Sequence, residues 1–285
     1  MRHSRFLAAA LSWTLFAASV QAAPPAAQPS SLRVYALDCG RIDLQDMGMF
    51  SDADEYAGQS GTMAAPCFLI EHPKGRLLWD TGLGDAIAAK PEGVPLPGMG
   101  IRFTVQRTLV EQLAELKLRP ADIDYVALSH LHADHSGNLG LFPKATWVLN
   151  RSELEWASAT PTPIGVDPRL FAGWRQAKLR DGNDDDDLFG DGSVRILRAP
   201  GHTPGHRVLM LRLANFGPLV LSGDLWHTRA NYEQSRVPAF NHNRADTLAS
   251  FERVRRLLAT HPGQVVVQHA PEDFAALPKF PAYMD

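Results

Sequence analysis

Ser129-His130-Leu131-His132-Ala133-Asp134-His135 sets three imidazoles and a carboxylate side by side in a short run. The run follows Asp124-Tyr125-Val126-Ala127-Leu128, an apolar and β-branched stretch that predicts a buried strand. Gly137 comes two residues after it, so the polar run falls on a loop at the strand's end. His130 and His132 are two apart on extended chain, and their side chains point the same way and can grip one ion. Asp134 and His135 come after the chain has turned and can face a second. A buried imidazole needs partners for two nitrogens, which makes a cluster of three poor filling for a core. The H-x-H-x-D-H pattern therefore reads as a two-metal signature, with a histidine-rich surface turn as the bland alternative.

Working outward, three further candidates stand where other apolar stretches end. His202 lies in Ala199-Pro200-Gly201-His202-Thr203-Pro204-Gly205-His206, just after Val194 to Leu197. Asp224 follows Leu219-Val220-Leu221-Ser222-Gly223, and His269 follows Val265-Val266-Val267-Gln268. Together with the central run these supply five histidines and two aspartates, a set large enough for two ions. Zinc accepts imidazole nitrogen and carboxylate oxygen together, and manganese, iron or cobalt could use the same donors.

Taken in order, His130-x-His132-x-Asp134-His135, His202 in Gly-His-Thr-Pro-Gly, Asp224 in Ser-Gly-Asp, and His269 resemble the metallo-β-lactamase superfamily. The resemblance implies an α/β fold, the αβ/βα sandwich of two mixed β-sheets flanked by helices, with the metals at one rim. It puts His130, His132 and His202 on one ion, Asp134, His135 and His269 on the other, and Asp224 as a bridge between them. His206, His227 and His242 are not ligands in that pattern. Leu37-Asp38-Cys39-Gly40, Asp80-Thr81-Gly82 and Leu118-x-Pro120-x-Asp122-Ile123 look like the N-acyl homoserine lactonase branch. That branch commonly carries a tyrosine three residues after the bridging aspartate; here the position is His227, whose imidazole can donate a similar hydrogen bond.

What the resemblance implies chemically is a dinuclear-metal hydrolase that opens the lactone ring of N-acyl homoserine lactones, a quorum-quenching reaction, through a metal-bridging hydroxide. His227 would polarise the carbonyl, and Asp134 would carry a proton to the departing alkoxide. The rivals are a β-lactamase, a phosphodiesterase or phosphotriesterase, a thioesterase, and a metal-binding protein without activity. The bridging Asp224 argues against the zinc β-lactamases, which lack it. A closed structural site would not leave positions for water, as two ions sharing these seven ligands do.

Composition narrows the partners. The chain of 285 residues is 45% apolar and 21% charged, with a formal net charge of −3. Arg2 and Arg5, the apolar stretch Phe6 to Val20 and the small residues up to Ala22 predict a signal peptide over residues 1–22. A flexible leader is expected over 23–31 and one metallo-β-lactamase-fold domain over 32–285. The apolar stretch is shorter than the roughly 20 residues a spanning helix needs, so export to the periplasm or medium is expected and stable membrane insertion is not. Export removes two arginines and brings the net charge to −5, an acidic balance that excludes a nucleic-acid footprint. The partner left is a small-molecule acyl lactone, with a homodimer as an allowed assembly. Cys39 and Cys67 are the only cysteines, and a disulfide and two buried thiols are both open readings.

Along the chain, Cys67–Ile70 and Arg76–Trp79 around Pro73-Lys74-Gly75 predict a β-hairpin. Residues 41–66 read as a long irregular excursion whose Met47, Met49 and Phe50 either cover an apolar ligand or pack onto the core. Asp80 is either a partner that orients a ligand histidine or a turn residue. A Pro/Gly loop is expected over 91–100, and a helix from about Thr104 with Val105, Leu109, Leu113 and Leu116 on one face. Asp184 to Asp187 read as a solvated hairpin tip, and Asn243 as the N-cap of the last long helix.

Overall fold

The computed structural model describes residues 31–182 and 184–285. The expected signal peptide and nearly all of the leader lie outside the described residues. No described helix is long and apolar enough to cross a membrane.

Two sheets face each other. The first has the spatial order β1 (Arg33–Leu37), β4 (Cys67–His72), β5 (Gly75–Trp79), β8 (Tyr125–Ala127), β9 (Thr146–Leu149) and β10 (Lys178–Asp181). The second runs β11 (Asp186–Asp187), β12 (Val194–Arg198), β13 (Arg207–Leu213), β14 (Gly217–Leu221) and β15 (Gln264–Val266). Alternation along each strand decides which side chains meet. Phe68, Ile70, Leu77, Trp79, Ala127 and Val148 point from the first sheet into one core with Ile196, Leu209, Leu211, Leu219 and Leu221 of the second. Their neighbours turn outward. Leu69, Leu78, Val126 and Trp147 pack under helix α1 (Leu109–Glu115), and Val208, Met210 and Val220 pack under helix α5 (Arg244–Thr260) through Phe251 and Val254. Each such apolar side chain, fully buried, contributes about 1.5–3 kcal/mol. Sheets covered on both faces give the layered αβ/βα sandwich that the resemblance implied.

Strand direction places the site. β5, β8 and β9 run parallel, as do β14 and β15, so their C-terminal ends collect along one rim. Gln268, just after β15, ties the sheets together there: its side-chain oxygen accepts from Trp79 Nε1 at 2.9 Å and from the Gly223 N–H at 2.8 Å.

Several local expectations change. Residues 41–66 are irregular only in their middle: their ends, β2 (Arg41–Leu44) and β3 (Gly61–Ala64), join β7 (Ile101–Thr104) and β6 (Val94–Leu96) in a third, four-stranded sheet. The expected 91–100 loop thus contributes β6. The helix expected from Thr104 begins at Leu109, because Thr104 pairs with Arg41 and Thr108 with Glu111 closes a capping box. Val105 belongs instead to the core of the third sheet, with Ile42, Leu44 and Met63. Asp186 and Asp187 pair with β12, while the exposed Asp184 and Asp185 precede that strand and the Asp185 carboxylate accepts from Arg198 N at 3.0 Å, so the acidic run leads into a strand instead of forming a hairpin tip. The hairpin, the strand Thr146–Leu149 and the Asn243 cap stand as expected.

Cys39 and Cys67 form a disulfide, with Cα atoms 5.7 Å apart. The residue before Cys39's turn explains it: Leu37 at the end of β1 is paired with Cys67 at the start of β4. Both sulfurs sit in the core rather than as thiols, and the bridge closes a 28-residue separation. Cys67→Ser is expected to lower the unfolding free energy by roughly 2–4 kcal/mol, read from the urea midpoint under oxidising conditions. No change between oxidised wild type and variant would show that the bridge does not form.

Candidate metal centre

His130 and His132 leave β8 on extended backbone, and a short helix α2 (Ala133–Ser136) then carries Asp134 and His135. That helix can sit against the Asp80–Gly84 loop only because Gly137 has no side chain. A Cβ there would stand 2.3 Å from the backbone carbon of Leu83. Gly137 N instead donates to Gly82 O at 2.8 Å. The other candidates arrive from the second sheet, His202 after β12, Asp224 after β14 and His269 after β15.

Two groups of donors result. Nε2 of His130 and Nδ1 of His132 lie 2.9 Å apart, and Nε2 of His202 is 3.2 Å from the first and 3.0 Å from the second. Across the rim, His135 Nε2 and His269 Nε2 are 3.2 Å apart, and Asp134 Oδ2 lies 3.9 and 3.5 Å from them. Asp224 divides its carboxylate between the groups. Oδ2 lies 3.7 Å from His130 Nε2 and 3.3 Å from His202 Nε2, while Oδ1 lies 2.9 Å from His135 Nε2 and 3.0 Å from His269 Nε2.

These spacings fit two divalent cations. Nitrogens bound at ~2.0–2.1 Å to one tetrahedral zinc stand about 3.3 Å apart, close to the separations found. The tautomers agree. His269 Nδ1 faces Ala64 O at 2.6 Å and His135 Nδ1 faces Asp80 Oδ2 at 3.0 Å, which leaves each Nε2 lone pair directed inward. Burial and the neighbouring imidazoles hold His130 and His202 well below the usual histidine range, and burial brings His132 down to about 4. Neutral imidazoles are the form that binds metal. At the second group burial works the same way, but Asp224 and Asp134, joined by Asp80 at His135, outweigh it and raise both His135 and His269. A concentrated negative charge of this kind attracts a proton when no cation is bound, and the Asp224 carboxyl is held well below its usual value by the surrounding histidines despite its burial.

Asp80 resolves in favour of orienting a ligand. Its φ of 55° is a left-handed conformation that costs a non-glycine residue energy but that Asp tolerates better than most. It is held there by Ser129 N, which donates to Oδ1 at 2.6 Å, and by Gln268 Nε2, which donates to Oδ2 at 2.9 Å. His206 has both ring nitrogens engaged elsewhere: its Nε2 accepts the Asp224 N–H at 2.9 Å and its Nδ1 faces Ala199 O at 2.9 Å. His242 is exposed.

His227 is 1% exposed, with Nε2 3.2 Å from Asp224 Oδ2 and its ring packed against both Phe50 and Phe240, at centroid distances of 5.1 and 5.3 Å, while those two rings also touch each other. Of the Met/Phe cluster, then, Phe50 reaches the site. Met47 instead fills the third sheet's core beside Gly61, and Met49 packs partly buried against that same core. Phe240, Trp156 (5.8 Å from the His132 ring), Gln268 and Glu153 were not anticipated. Only tertiary contact identifies them.

A model of the metallo-beta-lactamase superfamily matches residues 61–261. The chain is 32% identical over 265 residues to the N-acyl homoserine lactonase AttM of Azorhizobium caulinodans, covering 90% of this chain and all of the relative. It shares 29% identity over 262 residues with an N-acyl homoserine lactonase of a Bacillus species, 88% of this chain and 98% of that one. The fold superposes with a TM-score of 0.77, at 24% identity, on an N-acyl homoserine lactone hydrolase with N-hexanoyl-L-homoserine at its catalytic metal centre, covering 90% of this chain and 100% of the other. It also matches AidC, a dizinc quorum-quenching lactonase, with a TM-score of 0.64 at 19% identity over 91% and 92% of the two chains. With its donors paired around Asp224 and its sheets in this order, the chain belongs to the metallo-beta-lactamase superfamily, in the branch of the N-acyl homoserine lactonases.

Proposed function

We propose that this protein hydrolyses the lactone ring of N-acyl homoserine lactones, using two divalent cations, zinc first among them. The observation that carries the reading is Asp224, which turns one oxygen to each donor group and so commits the site to a pair of ions. His130, His132, His202 and Asp224 would hold one, and Asp134, His135, His269 and Asp224 the other. When bound, such a pair supplies Lewis acidity toward a carbonyl oxygen and makes water a competent nucleophile near neutral pH.

The chain's own residues supply the rest. His227, whose Nε2 lies 3.2 Å from Asp224 Oδ2, would donate a hydrogen bond from that nitrogen toward the scissile carbonyl, a contact that stabilises developing charge. Asp134 is the ligand carboxylate with the greatest side-chain exposure, 20% against 4% for Asp224, so its outer face can carry a proton to the departing ring alkoxide. Phe50 and Phe240 wall off water on the side of His227, and their apolar faces suit an acyl chain. The product is a ring-opened N-acyl homoserine.

The reading is tested by titrating acid release from an acyl homoserine lactone, a phosphodiester and a cephalosporin, with reconstituted and with chelated protein. Lactone opening that disappears on chelation and returns with zinc is expected. Turnover of the phosphodiester or the cephalosporin alone would overturn the substrate assignment.

The reading extends to location. The charged start and apolar stretch of residues 1–22 support export to the periplasm or medium as a single domain from residue 32, and a disulfide suits an oxidising compartment.

A further inference from the structure

We propose that Glu153 is the positioning residue of the three-imidazole cation site: its one buried carboxylate fixes both loops that carry His130, His132 and His202, before any cation binds. Glu153 lies on helix α3 (Arg151–Ala157) and is 2% exposed, an unusual place for a carboxylate without a task. Oε1 accepts the N–H of Leu131, the residue between His130 and His132, at 2.9 Å. Oε2 accepts the N–H of Gly205, three residues after His202, at 2.9 Å. One rigid group thus spans the two sheets and sets the separation of ligands that are 72 residues apart in sequence.

The surroundings are built for this contact. A Cβ on Gly205 would stand 2.5 Å from the Glu153 Cβ, so only glycine lets the His202 loop come near enough to be held. The nearby Arg207 guanidinium, 1% exposed, offsets the buried negative charge. It is itself anchored by donating to Leu128 O and Val148 O at 2.6 Å each. Asp80 does the equivalent work for the other ion through His135, by a direct contact with the ring. The two buried carboxylates therefore differ in reach: Glu153 serves one cation through backbone on both of its loops, and Asp80 serves the other through an imidazole, touching the first loop only at its start, at the Ser129 N–H.

The proposal rests on the two-cation reading and not on the substrate, so its test uses no turnover and is unaffected if the lactone assignment fails. In Glu153→Gln the side chain keeps its shape but only one acceptor oxygen, and one loop is released. Zinc competition against a chromophoric chelator should show one site weakened about 10–100-fold and the other changed less than about threefold. Cadmium-113 NMR identifies the site: the resonance perturbed should be the one lost in His202→Ala, whereas Asp80→Asn should perturb the one lost in His269→Ala. Two sites of wild-type affinity, or equal weakening of both, would overturn the proposal. If Glu153→Gln does not fold, amide exchange in chelated wild-type protein decides. Leu131 and Gly205 should be protected well above the neighbouring loop amides, and exchange of either at the rate of an unfolded chain counts against it.

Discussion

Asp224→Ala should leave the protein without either cation and lower lactone opening by roughly 1,000-fold or more, the loss of a Lewis-acid centre rather than of one contact. The reason is geometric. Oδ1 lies 2.9 and 3.0 Å from His135 and His269, and Oδ2 lies 3.3 and 3.7 Å from His202 and His130, so one truncation removes a donor from each group. It also removes the charge that balances a buried cluster of imidazoles, and each remaining cation would meet neutral nitrogens with too little negative charge beside them. Asp224→Asn separates the two effects, since a single amide oxygen can serve one group and not both. Metal analysis of the purified variants gives the answer directly. Two cations per chain in Asp224→Ala would refute the bridging role.

His227→Ala should lower kcat by about 100-fold while both cations stay in place, the usual cost of removing one donor aimed at developing charge. His227→Phe should behave alike, because it preserves the ring packing against Phe50 and Phe240 but offers no N–H. Equal losses in the two variants, with metal content unchanged, assign the effect to the hydrogen bond. If Phe retains wild-type turnover, His227 only fills space. Loss of a cation in either would make its 3.2 Å contact with Asp224 Oδ2 the important one. The burial of this ring, together with its place beside the bridging carboxylate, makes a neutral imidazole the form to expect; burial holds its pKa below the usual value.

Much of this was legible before any coordinates. The seven donors are strongly marked because each follows an apolar strand and because metal ligands tolerate few substitutes in residue type. The Cys67–Ile70 and Arg76–Trp79 hairpin could be read as well, but not which of its faces meets the second sheet, because Leu77, Leu78 and Trp79 are all apolar and all buried. Where local signals compete, the sequence misleads. Val105 and Leu109 share helical spacing, yet Val105 lies in the third sheet's core, because cross-strand hydrogen bonds from Ile101–Thr104 to β2 prevail over a helix propensity of a few tenths of a kcal/mol per residue. Glu153 stands three residues after the Asn150 cap, where a glutamate normally signals a helix start, and nothing local reveals that its oxygens are used elsewhere.

By itself, then, the sequence determined which residues are the candidate ligands, where the main strands run along the chain and that the donors suit a divalent cation, since these follow from residue chemistry and from the apolar patterning of a strand. Tertiary structure decided what depends on separations between distant segments: the joining of Cys39 to Cys67, the orienting of His135 by Asp80, the closing of Phe50 and Phe240 over His227, and the holding of two ligand loops by Glu153. Each of these is a contact fixed by how two sheets pack, and a packing distance of this kind has no local signature in the chain.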